Sequence, residues 1–548
     1  MSRHPFRLAR PTRLVRLARR LAWGLLPLAA LAAACHRTDP TEGKMIFRYN
    51  EPAGLATLDP AFAKDQALIW ATSQLFNGLV RLDTALIPEP CLAHSWDVSP
   101  DGTCYTFHLR PDVRFHPSPL LGPDSTRVVV AADFVYSFGR ILDPDVASPG
   151  RWIFSDVAPD GFQAPDDSTF VVRLRRPFAP FLSLLAMPYC AVVPHEVVEH
   201  YGDDFRRHPC GTGPFRLQLW KEGVKLVLRR NERYFETDPD GRPLPRLDAV
   251  AVTFIVDKQT AFLEFVKGNL DFMNSLDAGY KDELLTRTGS LKPKYAERLV
   301  MESCPFLNTE YLGFNMDDSL LADRRLRQAI CCGFDRAKMM KYLRNGIGTP
   351  GEGGMVPLGL MGDATAYGYH YDPERARRLL AEAGHPDGQG LPPLQLATTA
   401  SYLDLCRYIQ QQLALLGLDV RLDVNPPAAL REHIAQGQSP WFRGSWIADY
   451  PDAENYLSLF YSPNRAPQGP NYTHFTSPAF DRLYERSRNT TDPLERQRLY
   501  RAMDSLVMEE APVVVLYYDQ ILHFTHPNVH HLRTNAMNAL DLRYVTID

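Results

Sequence analysis

The chain has 548 residues, 45% of them hydrophobic and 23% charged, with 60 basic and 64 acidic side chains. Without an arginine-rich leader over residues 1–34, which holds seven arginines and no acid, 53 basic groups face 64 acidic ones, a net of −11 rather than −4. A body so charged, lacking any basic stripe, excludes nucleic acid as a partner, and its size suits two or three domains.

The leader reads as an export signal. Arg3, Arg7, Arg10, Arg13, Arg16, Arg19 and Arg20 precede an apolar run over 21–31, and Ala32, Ala33 and Ala34 stand before Cys35. A charged start, a short apolar stretch and small residues before the cut are what signal recognition needs, and the run is too short to span a bilayer. Cys35 resembles the cysteine of a bacterial lipobox, although Ala32 stands where leucine is usual. Two or more acyl chains anchor a protein stably. The expectation is a soluble body lipid-anchored at Cys35 through a tether over 35–44, in the periplasm or on the outer face of the cell membrane.

From 44 to about 303 the pattern is β-rich, with strands over 44–49, 105–109 and 170–174. Segments 215–219 and 225–229 flank Glu222 and Gly223 as a hairpin, and a strand over 249–256 precedes a helix ending near Gly268. The second half changes character. Asp372 supplies an N-cap, Pro373 a first helical position and Glu374 an early acid, and Gly384 closes that helix. Strand 394–397, helix 402–416, strand 418–424, helix 428–436 and strand 441–446 follow, an order that implies parallel strands with right-handed crossovers. Ligands of open parallel sheets sit beyond the carboxyl ends of strands, and the last of these strands delivers Ser445, Trp446, Ile447 and Asp449 to that edge. A strand over 513–517 crosses back to the first lobe.

His195, Glu196, Glu199 and His200 approximate a zinc-protease helix, but Glu199 occupies the place of the second histidine and Glu196 fails the inverted motif. A solvated helix turn is expected there, with a secreted zinc hydrolase on His195, Glu199 and His200 as the remote alternative. Residues 346–351 match a dinucleotide fingerprint formally, yet Pro350 opens no helix, so they read as a loop. Pro527 interrupts His523, His526, His530 and His531, which read as surface residues. Eight cysteines follow Cys35 without zinc spacing, and their pairing stays open. No nucleophile elbow, phosphate loop or carboxylate pair argues for bond-making chemistry, so a binding protein without cofactor, metal or catalysis is expected.

An ordered set of segments spans nearly the whole mature chain: 58–60, 92–96, 101–110, 113–116, 132–137, 210–215, 231–235, 327–336, 371–380 and Trp446-Ile447-Ala448-Asp449-Tyr450-Pro451-Asp452. Together they resemble the large extracytoplasmic solute-binding proteins of peptide and nickel ABC importers, solute-binding protein family 5. The resemblance implies an α/β, two-lobed periplasmic-binding-protein-like fold of class II: a first lobe over 45–303 with an extra subdomain at about 85–205, a second over 304–511, and a return over 512–548. Hinge crossings are expected near Ser303 and Ala511. The resemblance further implies a short peptide held by main-chain hydrogen bonds between Lys64, Asp65 and Gln66 on one side and Ser445, Trp446 and Ile447 on the other, which favours breadth over selectivity. Asp449 would meet the peptide's free amine and Arg443 a carboxylate, while Trp446 would stack on a ligand side chain or fill the core between lobes. The residues themselves agree on Asp449, because a desolvated ammonium needs a buried anion; its alternative use is to cap a helix near Pro451. Arg443 could instead pair with a surface acid. The implied partners are a short peptide, an ABC permease in the inner membrane and the membrane itself through the lipid anchor, with the protein working as a monomer. Fold does not fix ligand, so a nickel chelate, antibiotic or glycan is the alternative cargo.

Overall fold

The computed structural model describes residues 43–275, 279–361 and 367–548; the leader and Cys35 lie outside them. Two main cores organise the described residues. The first gathers Phe47, Trp70, Phe107, Phe138, Phe170 and Leu228; the second gathers Phe314, Ile330, Leu396, Ile409, Trp441 and Val514. A smaller cluster holds Phe262, Phe265, Tyr295 and Phe524.

The first lobe begins with β1 (Ile46–Asn50), which buries alternate residues Phe47 and Tyr49, and a helix over Gln66–Leu75. A short hairpin of β2 (Val80–Leu82) and β3 (Pro88–Pro90) leads to a four-stranded antiparallel sheet of β4 (Ala93–Val98), β5 (Cys104–Leu109), β6 (Val157–Asp166) and β7 (Thr169–Leu174), in the order β4-β5-β7-β6. The helix Ala131–Leu142 covers it with Phe134 and Phe138, whose rings lie 5.5 Å from that of Phe170. Next come the hairpin β8 (Phe215–Lys221) and β9 (Lys225–Arg230), then β10 (Ala249–Thr253) and β11 (Phe272–Asn274). Gly211 and Gly213 pass the end of the helix Gln66–Leu75 so closely that a Cβ would stand 2.2 Å and 2.4 Å from Leu75 backbone atoms, which only glycine permits.

The second lobe contributes β12 (Val300–Phe314), β13 (Thr349–Pro350), β14 (Leu394–Thr398), β15 (Val420–Val424) and β16 (Trp441–Ile447) before β17 (Val513–Thr525) returns. β14 runs parallel to both β15 and β16, as the alternation of strands and helices requires. Thr349 and Pro350, expected within a loop, form a two-residue strand against Tyr518 and Tyr517. Among the described residues eleven strands form one sheet through both lobes, ordered β15-β14-β16-β12-β17-β11-β1-β10-β9-β8, with β13 on β17.

The lobes are joined by β12 and β17, which pair antiparallel with register breaks between Pro305 and Thr309 and between Glu310 and Tyr311. Pro305 has no N–H to offer the ladder. Leu307 turns to other chains instead: its N–H donates to the Ala536 carbonyl and its own carbonyl accepts from the Ala448 N–H, both at 2.9 Å. Ala511, at φ 50°, ends the helix Pro493–Glu510, and the residues from Val513 to Tyr518 still pack in the second core, whereas Leu522 and Phe524 belong to the small third cluster. The apolar pattern breaks between these two sets, at Asp519 and Gln520.

The lobes also meet at a shoulder. Arg488, closing the helix Pro478–Arg488, pairs with Asp156 of the four-stranded subdomain, and the two side chains are only 16% and 12% exposed. Asp156 also accepts from Arg176 Nε at 2.8 Å, and the Arg488 guanidinium lies 4.9 Å from the Phe178 ring centre. Tyr450 of the second lobe packs into the first core, 6.2 Å from Trp152. Breaking a buried pair costs several kcal/mol, so even part of that suffices to shift the lobes apart. Arg488→Gln should therefore enlarge the radius of gyration in small-angle scattering and weaken ligand binding about tenfold, or about 1.4 kcal/mol; an unchanged scattering profile would show that the shoulder contributes nothing to closure.

Candidate functional site

Between the lobes lies a cavity of about 830 Å3, a size typical of small-ligand sites. Lys64, Asp65, Gln66, Arg81 and Tyr189 line it from the first lobe, Ile447, Ala448 and Asp449 from the second, and Phe306 from the hinge. The segment after β17 closes it with Arg533, Asn535, Met537 and Tyr544. A cavity of about 1010 Å3 on the first lobe, around Thr57, Asp59, Arg140 and Val198, has no second-lobe wall, and its Arg140 is held by Asp59 at 2.9 Å.

Asp449 reaches the cleft because the chain leaves the ladder after Ile447, where Ala448 bonds to Leu307. Its N–H donates to Asn455 Oδ1 at 3.2 Å, and Asn455 Nδ2 stands 3.4 Å from its Oδ2. Among the described residues no cation pairs with it. The side chain is exposed by area, but it is exposed to the cleft, whose walls exclude enough water for desolvation to push the carboxyl up, with Asn455 opposing. The Tyr189 hydroxyl across the cleft is raised by burial first and then by the charges of Asp449 and Asp65. Asp449 caps no helix: the next helix is Glu454–Leu457, and Asp452 Oδ1 accepts its Glu454 N–H at 2.9 Å.

Arg443, expected in the cleft or against a surface acid, does neither. It pairs with Glu310, diagonal to it on the neighbouring β12, and the two side chains are 11% and 3% exposed. The Tyr402 ring covers its guanidinium at 3.3 Å, and Glu310 also accepts from Asn308 Nδ2 at 3.2 Å. Burial pushes the Glu310 carboxyl up against the pull of Arg443, whose own charge Glu310 sustains. Trp446 donates from Nε1 to Asn455 Oδ1 at 2.8 Å and rests against the second core, so it fills the lobe and not the cleft. Ser445 stands opposite Glu310 in the ladder. Of the strand residues expected to touch ligand, Ile447 and Asp449 form the wall, and Arg443, Ser445 and Trp446 stand behind it.

β14 matches β16 only at Leu396 with Trp441 and Ala397 with Phe442. Over 443–447 the edge of β16 away from β12 therefore has no strand partner among the described residues. The opposite side differs from the extended edge expected there. Asp65 Oδ1 caps the helix Gln66–Leu75 by accepting from Leu68 N–H at 3.1 Å, and Gln66 Nε2 donates to the Asn538 carbonyl at 2.8 Å. Lys64, Asp65 and Gln66 do line the cleft, as a helix start rather than a strand.

Sequence reasoning missed Tyr189, Phe306, Arg533, Asn535 and Met537, which stand in none of the recognised segments. Glu196 of the helix His195–Tyr201 holds Arg127 through both oxygens at 2.6 and 2.8 Å. The late histidines go separate ways, His523 to Thr534 and Asn538, His526 to the Phe265 carbonyl and His530 to Asp548. The eight cysteines are free, and six are buried.

A carboxyl raised by desolvation costs the folded protein stability once it ionises, and nothing below the ordinary carboxylate range, where it is protonated in both states. Asp449→Asn should therefore melt slightly higher than wild type at about pH 8, by on the order of 1 °C, and the gain should vanish at about pH 3. Melting curves at both pH values check this, and a gain independent of pH would contradict it.

Residues 88–468 match the family described as bacterial extracellular solute-binding proteins, family 5 middle. The chain is 26% identical over 476 residues to the glutathione-binding protein GsiB of Salmonella typhi, covering 86% of this chain and 88% of that one. Its structure matches the periplasmic binding protein DppA of Helicobacter pylori in complex with the peptide STSA, with a TM-score of 0.76, 25% identity and coverage of 92% and 98%. It matches HbpA2 of Haemophilus parasuis in fold, with a TM-score of 0.79 at 22% identity over 92% of this chain and 100% of that one. With a family match over most of its length and a two-lobed periplasmic-binding architecture, the chain belongs to the bacterial extracellular solute-binding proteins of family 5.

Proposed function

We propose that this protein is the substrate-binding component of an ABC importer that takes short peptides by backbone and amino terminus and delivers them to a membrane permease, while Cys35 tethers it to the envelope. Membership of a solute-binding family supports binding and delivery over catalysis. A relative named for glutathione binding and a structural neighbour in complex with the peptide STSA support a peptide cargo.

One observation carries the amine assignment: Asp449 faces the interlobe cleft as a desolvated carboxylate with no cation beside it among the described residues. A ligand ammonium would complete the pair, and a cleft acid whose pKa is raised by desolvation is a candidate for a functional site. The unpartnered edge of β16, which meets the cavity at Ile447, suits an extended peptide backbone, by strand addition that reads no side chain.

Calorimetry with a bound peptide and its N-acetylated twin tests this reading. Acetylation and, separately, Asp449→Ala should each weaken binding at least about tenfold; equal affinity for the two peptides would remove Asp449 from the role. The tether is tested by fractionation. Cys35→Ala should move the protein from the membrane fraction to the soluble one, because the acyl chains supply the anchoring energy, and retention of that variant on membranes would refute lipidation.

A further inference from the structure

Building on the peptide reading, we infer that Arg533, not Arg443, receives the ligand's carboxylate, so that the segment following β17 is the anion-reading wall of the cleft. Arg443 is committed to Glu310, beneath Tyr402 and out of the cavity. A carboxylate could claim it only by displacing Glu310, which would strand a buried acid.

The cleft's other guanidinium groups are mostly committed as well. Arg81 is held by Glu89 and Glu236, and Arg543 by Glu236 and Asp541. Arg533 is different: it lines the cavity and pairs with no acid among the described residues. Its guanidinium carbon stands 4.3 Å from the Tyr544 ring centre, with Arg543 on the same ring at 5.4 Å. A planar fork fixed on an aromatic face suits a carboxylate, which takes two parallel hydrogen bonds from it. Lys64 is likewise unpaired among the described residues, but its ammonium is a point charge on a flexible stem, and the residue is shared with the outer cavity of the first lobe.

The hinge places this cation at peptide distance from Asp449. Leu307 bonds to Ala448 on one side and to Ala536 on the other. Two strand spacings, about 10 Å, thus separate the chain beside Asp449 from the chain leading back to Arg533. Three further residues from Ala536 to Arg533 add at most about 10 Å. An extended peptide of roughly three to five residues, at about 3.5 Å each, spans that interval.

The test uses the full mature protein and a pool of synthetic tri-, tetra- and pentaalanine, each as free peptide, C-terminal amide and N-acetyl derivative, with retained species identified by mass spectrometry and titrated individually. Wild type should prefer free acids to amides by about tenfold, and Arg533→Gln, an exposed position that folding tolerates, should erase that preference while still rejecting N-acetylated peptides. An acid preference that survives in Arg533→Gln, or none in wild type, overturns the assignment of Arg533 alone. Loss of the acid preference in Arg533→Gln together with indifference to acetylation keeps Arg533 and overturns the role of Asp449. Retention of no peptide by wild type overturns both.

Discussion

Pro305 sets the geometry on which the cleft depends. A continuous antiparallel ladder between β12 and β17 would make one stiff plank of the two lobes. A proline within β12 removes a donor, and from Pro305 to Thr309 the strand advances four residues while β17 advances only two, from Gln520 to Tyr518. The surplus chain is used by Leu307, whose backbone ties the end of β16 to the segment after β17. The interruption at Pro305 therefore creates the bendable zone that hinge closure requires and brings Phe306, Asp449 and Arg533 around a common space.

Several buried charges elsewhere find multiple partners within the protein. Arg327 donates to the carbonyls of Leu321, Ala322, Glu510 and Ala511, tying its helix to the end of the helix Pro493–Glu510, and Arg336 donates to those of Cys331 and Val515, tying its helix to the returning strand. Arg443 and Glu310 neutralise each other within the second lobe. Asp449 differs from these groups and from the buried acids Asp504 and Glu454, which tyrosine hydroxyls satisfy: among the described residues it faces the cleft with only an asparagine amide 3.4 Å away. Exceptions of this kind persist where a partner arrives from outside.

Much of the fold was legible because its signals are local. The cap at Asp372 and the glycine at Gly384, at φ +89°, bound a helix over Pro373–Glu382, and the alternation from 394 to 447 yields the parallel strands directly. The position of Asp449 followed from the same topology. What failed were inferences about partners brought together by folding. Arg443 and Glu310 lie 133 residues apart, and no spacing announces their pairing. The cleft wall formed by Arg533, Asn535 and Met537 uses alternate residues but mixes a cation, an amide and a thioether, so no apolar pattern marks it: a loop that lines a cavity answers to the cavity and not to a core.

On the proposed reading, the lone carboxylate and the hinge act as one device. While the lobes are apart, water reaches Asp449 and its charge costs little. Bringing the lobes together strips that water away, which opposes closure in proportion to how strongly ionisation is disfavoured there. A ligand ammonium supplies in the closed state the neutralisation that water supplied in the open one, so it binds the two states unequally, and only such differential binding can move the equilibrium between them. A neutral hydrogen-bonding residue at this position would bind ligand with little penalty for closing without it. The charge makes closure conditional on the cargo's amine, and the backbone edge of β16 leaves the cargo's side chains largely unread.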